Sequence, residues 1–141
     1  MFTIINPDYK EKIINLLDGQ QLMKLINFNL THIEPGKTEG NLVIQQKHLQ
    51  QKGFVHGGTL ATLADITAGF AAYTLVAEHE HVVTADLRLS FLHPAQGERL
   101  EAIGWVLKKG KKLVFCESEI WCFQKEEKKM VVKSSSTMAI I

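Results

Sequence analysis

The sequence predicts an α+β fold in which a mainly antiparallel sheet of five to six strands wraps one long central helix. Three observations carry that expectation. Residues 59 to about 78 are apolar on nearly every helical face and show no alternation. Elsewhere, short period-two runs are separated by turn signals, most cleanly at 83–91. No repeat, low-complexity tract or Pro/Gly-rich linker divides the 141 residues, a length that suits one domain and is short for two. Residues 1–141 therefore read as a single domain, with 1–20 as a helical extension.

Taken in order, Asn6-Pro7-Asp8 followed by residues 9–17 reads as a short helix with an early proline and an apolar stripe of Ile13, Ile14, Leu16 and Leu17. Ile26, Phe28 and Leu30 alternate with Asn27, Asn29 and Thr31, as in a half-buried strand. Pro35-Gly36 signals a turn, and 38–45 reads as the hairpin partner. Residues 46–55 are polar, lack periodicity and lead into His56-Gly57-Gly58. The long helix follows, about 30 Å if it runs about 20 residues. Such an apolar helix must be wrapped on several sides, and a sheet and a partner chain are the expected covers.

In 83–91, Val83, Ala85, Leu87, Leu89 and Phe91 alternate with Thr84, Asp86, Arg88 and Ser90, and His93-Pro94 ends the run. Strands at 100–107 and 113–123 flank the tip Lys108-Lys109-Gly110-Lys111-Lys112. A charged turn at 124–129 precedes a last strand at 130–140.

Composition narrows the function. Sixteen basic and fifteen acidic residues give a formal net charge of +1, which argues against nucleic-acid binding. Hydrophobic content of 45% supports a core without staples. Cys116 and Cys122 share one face of an extended strand at a separation of roughly 20 Å, too far for a mutual disulfide. Buried free thiols in a reducing compartment are expected. The N-terminal run lacks the basic-then-apolar layout of a secretory signal. Asp65 within the apolar helix would cost about 2.5–3.5 kcal/mol at a bilayer centre. A cytoplasmic protein with no membrane partner is expected.

The strongest chemical signal is Gly53-Phe54-Val55-His56-Gly57-Gly58 running into a helix that carries Asp65. Paired glycines at a helix start let a ligand approach the backbone. The first N–H groups of a helix have no partner within it and, with the dipole, favour an oxygen bearing negative charge. Ester or thioester hydrolysis develops such an oxyanion. Asp is a poor helix former, almost never buried without partners. Thr62, Asp65, Gly69 and Tyr73 share one helical face, giving the carboxylate a groove of small residues. Alone, Asp65 reads equally well as a core or interface carboxylate held by hydrogen bonds.

Taken together, His56-Gly57-Gly58, Leu63-Ala64-Asp65, Val83-Thr84-Ala85-Asp86-Leu87 and Phe91-Leu92-His93-Pro94-Ala95 resemble the PaaI-like thioesterases over residues 36–141. These are hotdog-fold enzymes that hydrolyse acyl-CoA or aryl-acyl-CoA thioesters without a cofactor. The resemblance implies Asp65 as nucleophile or general base, and Gly57 N–H as the group polarising the thioester carbonyl. It implies His56 as an orienting group and Thr84 as a residue beside the catalytic water. Where relatives often carry an Asn six residues before the histidine, this chain has Gln50, so that orienting contact must shift or pass to Gln51.

The resemblance further implies coenzyme contacts at Gly58, at Phe91, His93 and Pro94, and at the hairpin residues Lys109, Gly110, Lys111 and Lys112. It implies a homodimer or homotetramer whose sites pair Asp65 of one chain with Gly57 of another. By charge alone the lysine hairpin reads as a solvated turn. Trp105 and Trp121 read as core or interface aromatics. His79 and His81 lack a third ligand for a metal, and no Gly-x-Ser-x-Gly elbow is present. Two competing readings are a dehydratase of the same fold and a non-catalytic acyl-CoA-binding or sensor module.

Overall fold

In the computed structural model, which describes residues 1–141, one long helix lies across a six-stranded antiparallel sheet. The elements are α1 (Tyr9–Asp18), α2 (Gln21–Ile26), β1 (Asn29–Glu34), β2 (Lys37–Val43), α3 (Gly57–Tyr73), β3 (Val82–Phe91), β4 (Arg99–Lys109), β5 (Leu113–Gln124) and β6 (Glu127–Ile140). The strand order is β1-β2-β4-β5-β6-β3, so β3 crosses from the end of α3 to the far edge beside β6. The predicted fold class is the observed one.

Three boundaries move, each for a local reason. Ile26 belongs to α2, a helix of good formers (Gln, Leu, Met, Lys) that the short alternation concealed. Asn27 ends it in the left-handed region at φ 58, and β1 starts only at Asn29. Helix α3 has 17 residues and stops at Tyr73. There the Thr74 hydroxyl donates to Ala71 O at 2.6 Å and accepts from Gly36 N–H at 2.7 Å, holding the chain in a turn while Leu75 and Val76 stay buried beyond the helix. The charged turn at 124–129 contracts to Lys125-Glu126, because Glu127, Lys128 and Lys129 already pair with Gln124, Phe123 and Cys122.

The inner face of the sheet alternates buried with half-exposed residues, and the buried set meets α3. Approach is closest at Gly104: a Cβ there would lie 2.4 Å from the Thr67 carbonyl carbon. Two sheet hydroxyls fasten the helix, Thr38 Oγ1 donating to Thr67 O at 2.7 Å and Ser118 Oγ to Ala64 O at 3.0 Å. These hydroxyls are fully buried, and each bond satisfies both donor and acceptor.

The opposite side of α3 is covered by this chain's own N-terminal segment, where Tyr9 and Ile13 of α1 pack on Phe70. Lys12 Nζ ties that segment down by donating to the carbonyls of Ala77, Glu78 and Glu80 at 2.9, 2.7 and 2.7 Å. The need to cover an apolar helix is thus met within the chain to a greater extent than its composition implied. What α3 leaves uncovered is the stripe of Gly58, Thr62, Asp65, Gly69 and Tyr73, all exposed or half-buried.

Of the two alternatives for the tryptophans, core or interface, the core one is corrected. Trp105 and Trp121 lie half-exposed on the outer sheet face, under Lys133 at 4.3 Å and Lys128 at 4.9 Å. Lysine stems and charges cover the rings there, so neither tryptophan enters the core.

The polar segment before α3 is ordered by His48, which gave no signal in the sequence. Its ring is 1% exposed; Nδ1 accepts from Gln45 N–H at 2.9 Å and Nε2 donates to Ile26 O at 2.7 Å. Replacing His48 with leucine leaves a buried donor and a buried acceptor unpaired. The expected loss is about 2–6 kcal/mol, counting about 1–3 for each orphan, read as a lower urea midpoint.

Candidate active site

Accounting for the amides at the start of α3 isolates one donor. Gly58 N–H is taken by His56 Nδ1 at 2.8 Å, and Thr59 and Leu60 N–H both reach His56 O at 2.9 and 3.2 Å. Of the first four helical amides, only Gly57 N–H lacks a partner. His56 is the N-cap, so its neutral ring carries the proton on Nε2, the atom turned away from the helix. Gly58, expected to contact the coenzyme, has its own amide engaged.

Gly57 opens onto a cavity of 380 Å³ shared with Gln50, Phe91, His93 and Pro94. The Phe91 ring lies 3.5 Å from where a Gly57 Cβ would stand, so a side chain at 57 would intrude on this space. Gln50 lies within the same cavity, with its side-chain carbonyl turned back onto Lys52 N–H. Its carboxamide N–H₂ has no partner in the chain. The Gln for Asn exchange therefore still leaves an amide donor beside Gly57, from a longer side chain.

Asp65 lies two turns along α3, half-buried, and its Oδ1 accepts from Thr84 Oγ1 at 2.6 Å. That contact corrects the predicted phase of β3. Thr84 pairs with Met138 but Asp86 with Thr137, so Ala85 is an extra residue, a β-bulge. Val82, Thr84, Leu87, Leu89 and Phe91 stand opposite the buried Ile140, Met138, Ser136, Ser134 and Val132, and so share the inner face. An unbroken alternation would set Thr84 on the face opposite Leu87 and Leu89. The bulge turns its hydroxyl toward Asp65, a common use of bulges near functional sites.

Within one chain the predicted residues form two groups. Asp65 and Thr84 line one cavity of 210 Å³, whereas Gly57, Gln50, Phe91, His93 and Pro94 line the other. Asp65 and Gly57 are about 12 Å apart along the axis of α3. The hairpin of Lys109, Gly110, Lys111 and Lys112 lies at the Thr84 end of the sheet, since Val114 and Thr84 both pair with Met138. Phe91 is about 20 Å away at the other end of β3. Gln20, at the junction of α1 and α2, lines the Asp65 cavity; its place in the sequence gave no signal.

The cysteines are not part of this chemistry. Burial pushes the Cys116 thiol up to about 12 and also raises Cys122, so both stay protonated and unreactive. No three His, Cys, Asp or Glu side chains are grouped to hold a metal ion, and no helix is long and apolar enough to cross a membrane.

Comparison with known proteins places this geometry in a family. Residues 52–129 match the thioesterase superfamily model. A thioesterase family protein from Silicibacter pomeroyi superposes with a TM-score of 0.93 at 27% identity, covering 94% of this chain and 98% of that one. The Escherichia coli PaaI protein from the phenylacetic acid degradation operon shares the fold, with a TM-score of 0.85 at 18% identity over 97% and 96% of the two chains. Human acyl-coenzyme A thioesterase 13 is 29% identical over 92 residues, 64% of this chain and 65% of its own. The matched region contains Gly57, Asp65, Thr84 and the His93-Pro94 segment, and the chain belongs to the thioesterase superfamily, with the hotdog fold that the PaaI protein shares.

Proposed function

We propose that this protein hydrolyses acyl-CoA thioesters to free acid and CoA, at sites formed between two copies of the chain. The observation that carries the reading is the pair of unfinished half-sites: one free helix-start amide at Gly57 and one carboxylate held by a hydroxyl at Asp65–Thr84. Hydrolysis needs a donor about 3 Å from the carbonyl oxygen, and a carboxylate that reaches the carbon of the same carbonyl directly or through one water. In one chain they are about 12 Å apart along the helix.

A two-fold pairing unites them. Strand β3 is a ten-residue edge with its outer ladder unpaired and Val83 and Phe91 exposed. Antiparallel pairing of two β3 strands about their centres sets the Thr84 end of one against the Phe91 end of the other. Phe91 packs on Gly57 and Thr84 on Asp65, so each carboxylate then faces the other copy's amide. The same pairing carries the lysine hairpin toward the other copy's His93-Pro94 segment, where coenzyme phosphates can meet lysine charges.

At such a site Gly57 N–H polarises the thioester carbonyl with the aid of the α3 dipole. Asp65 either takes a proton from the attacking water and passes it to the thiolate as the C–S bond breaks, or attacks the carbonyl carbon itself and expels the thiolate, leaving a mixed anhydride that a water then hydrolyses to free acid and the regenerated carboxylate. Thr84 spends its proton on Asp65 Oδ1, leaving its lone pairs to accept from the water. His56 fixes the helix start, and Gln50 offers its N–H₂ to the substrate carbonyl or the water.

Subunit mixing tests the shared site. Asp65→Asn and Gly57→Pro chains should each be inactive; proline is tolerated at the first helical position and removes the N–H, while its ring also enters the space beside Phe91. Unfolded and refolded together in equal amounts, they should regain about a quarter of wild-type thiol release. Half the random dimers are then mixed, and each has one intact site out of two. No recovery in a mixture shown to exchange subunits would place the site within one chain.

A further inference from the structure

Residues 48–56 carry no strand alternation, yet they fold as a small hairpin leading into α3. His56 N–H donates to His48 O and Gln50 N–H to Phe54 O, both at 2.8 Å, with Leu49 bridged to Val55 between them. Three residues make the turn, the last of them Gly53 at φ 85, the left-handed position that a loop of this length calls for. Gln50 is on the first side of the hairpin, and Gly57 follows directly from the second. The free Gly57 N–H and the free Gln50 carboxamide N–H₂ are thus held relative to each other by one local ladder.

An isolated two-stranded hairpin is marginal in water, so its place in the molecule must be set from outside. One tie is Val55 N–H to Ala95 O at 2.8 Å. The open end is tied by His48, a residue the hydrolytic reading does not use. Its ring is 1% exposed, with Nδ1 accepting from Gln45 N–H at 2.9 Å and Nε2 donating to Ile26 O at 2.7 Å. Gln45 is a near neighbour in sequence. Ile26 is 22 residues away and ends α2, where its carbonyl has no partner within the helix. A second tie between these segments, Asn27 Nδ2 to Gln45 Oε1, is exposed and 3.3 Å long.

The same residue grips α3 with its main chain. His48 O accepts from the N–H of His56, the N-cap, and at 3.5 Å from Thr59 Oγ1 in the first helical turn. His48 therefore joins the end of α2 to the start of α3, by its ring on one side and its carbonyl on the other. A shift of His48 displaces the residue that precedes Gly57, and the amide moves with it.

We propose that His48 is a positioning residue for the reaction: through its Nε2–Ile26 bond it sets where the Gly57 amide and the Gln50 carboxamide meet the thioester carbonyl. The assignment rests on the shared-site reading, in which those two donors serve the carboxylate of the other copy. Donors aimed at charge that develops in the transition state act on kcat more than on KM. A misplacement of about 1 Å can cost about 10²-fold, so losing the Ile26 bond should lower kcat by about thirtyfold and leave KM within about threefold.

Two substitutions separate the arms of the ring. The side-chain oxygen of Asn stands about where Nδ1 does and keeps the Gln45 contact. The side-chain nitrogen of Gln stands about where Nε2 does and keeps the Ile26 contact. Each variant loses one bond, so Tm should fall alike in both. Thiol release is measured well below both Tm values, on the fastest of acetyl-, octanoyl-, palmitoyl- and benzoyl-CoA. His48→Asn should lose about thirtyfold in kcat and His48→Gln less than about threefold. His48→Asn is then refolded with Asp65→Asn in equal amounts, beside the mixture of Gly57→Pro with Asp65→Asn. In a mixed dimer the complete site takes Gly57 from the Asp65→Asn chain, whose His48 is intact. Activity should therefore rise to about a quarter of wild type, as with Gly57→Pro.

Equal kcat in wild type and both His48 variants would make His48 a residue of the fold alone and overturn the proposal. So would any order other than Gln above Asn. No rise in the His48→Asn mixture, where the Gly57→Pro mixture recovers, would place the defect in the Asp65 half and overturn it too. If neither mixture recovers, the shared site is overturned, and the kcat order alone then decides for or against His48. No thiol release by wild type from any of these acyl-CoAs would overturn the hydrolytic reading, and the proposal with it.

Discussion

Asparagine in place of Asp65 should reduce kcat for thiol release by about 10²–10⁴-fold, the range a positioned base contributes. The exchange is nearly isosteric. The amide oxygen can still accept the Thr84 hydroxyl proton that Asp65 Oδ1 accepts at 2.6 Å, so the helix face and β3 keep their contact. What is lost is the negative charge and the lone pair that, in the proposed mechanism, attacks carbon or abstracts the proton. Circular dichroism and oligomeric state should match wild type, and acyl-CoA binding should survive. Near-wild-type turnover with every acyl-CoA tried would remove Asp65 from the reaction and leave Gly57 without a chemical partner.

The largest effect on stability is expected at Gly104. Alanine there puts a Cβ 2.4 Å from Thr67 C, 2.5 Å from Ala68 N and 2.6 Å from Thr67 O. All three atoms are main chain in the middle of α3, so no side-chain rotation relieves the overlap. Overpacking a core commonly costs about 1–3 kcal/mol, and a backbone-on-backbone clash belongs at the upper end. About 3 kcal/mol corresponds to a Tm lower by about 10 °C for a domain of this size. Activity should fall as well, measured well below the new Tm, because Thr67 is two residues from Asp65 and the helix must shift to admit the methyl. A Tm within 2 °C of wild type would mean that helix and sheet are less closely locked than the 2.4 Å approach implies.

The parts of this molecule legible in its sequence are those governed by local period and composition. The apolar run that became α3, the alternations of β4, β5 and β6, and the turn at Gly36 are of this kind. Gly57 and Asp65 were also legible, since a glycine pair at a helix start and an acid inside an apolar helix each break a local rule. What stayed hidden depends on contacts between distant residues. Ile26, the last residue of α2, resembled the start of a strand because three alternating residues cannot decide between periods, and residues 21–25 carried no signal of their own. His48 is defined by partners on two other segments, Gln45 and Ile26, and Gln20 by a cavity assembled from three. Thr84 was singled out through family resemblance, yet the alternation alone placed its side chain on the wrong face.

Residue 85 shows what such a bulge does to the information a sequence carries. On the inner face of β3, Val82 and Thr84 keep one parity and Leu87, Leu89 and Phe91 the other, and Ala85 is the offset between them. Its side chain is exposed, so most exchanges of chemical type there cost little. Removing the residue would instead swap one face for the other along half the strand, pulling Thr84 from the carboxylate or turning Leu87 and Leu89 to water and Phe91 away from Gly57. At this point the protein depends on a count of residues rather than on their identity. A comparison that scores only identities gives position 85 little weight, while a gap of one there changes which side chains of the strand face α3.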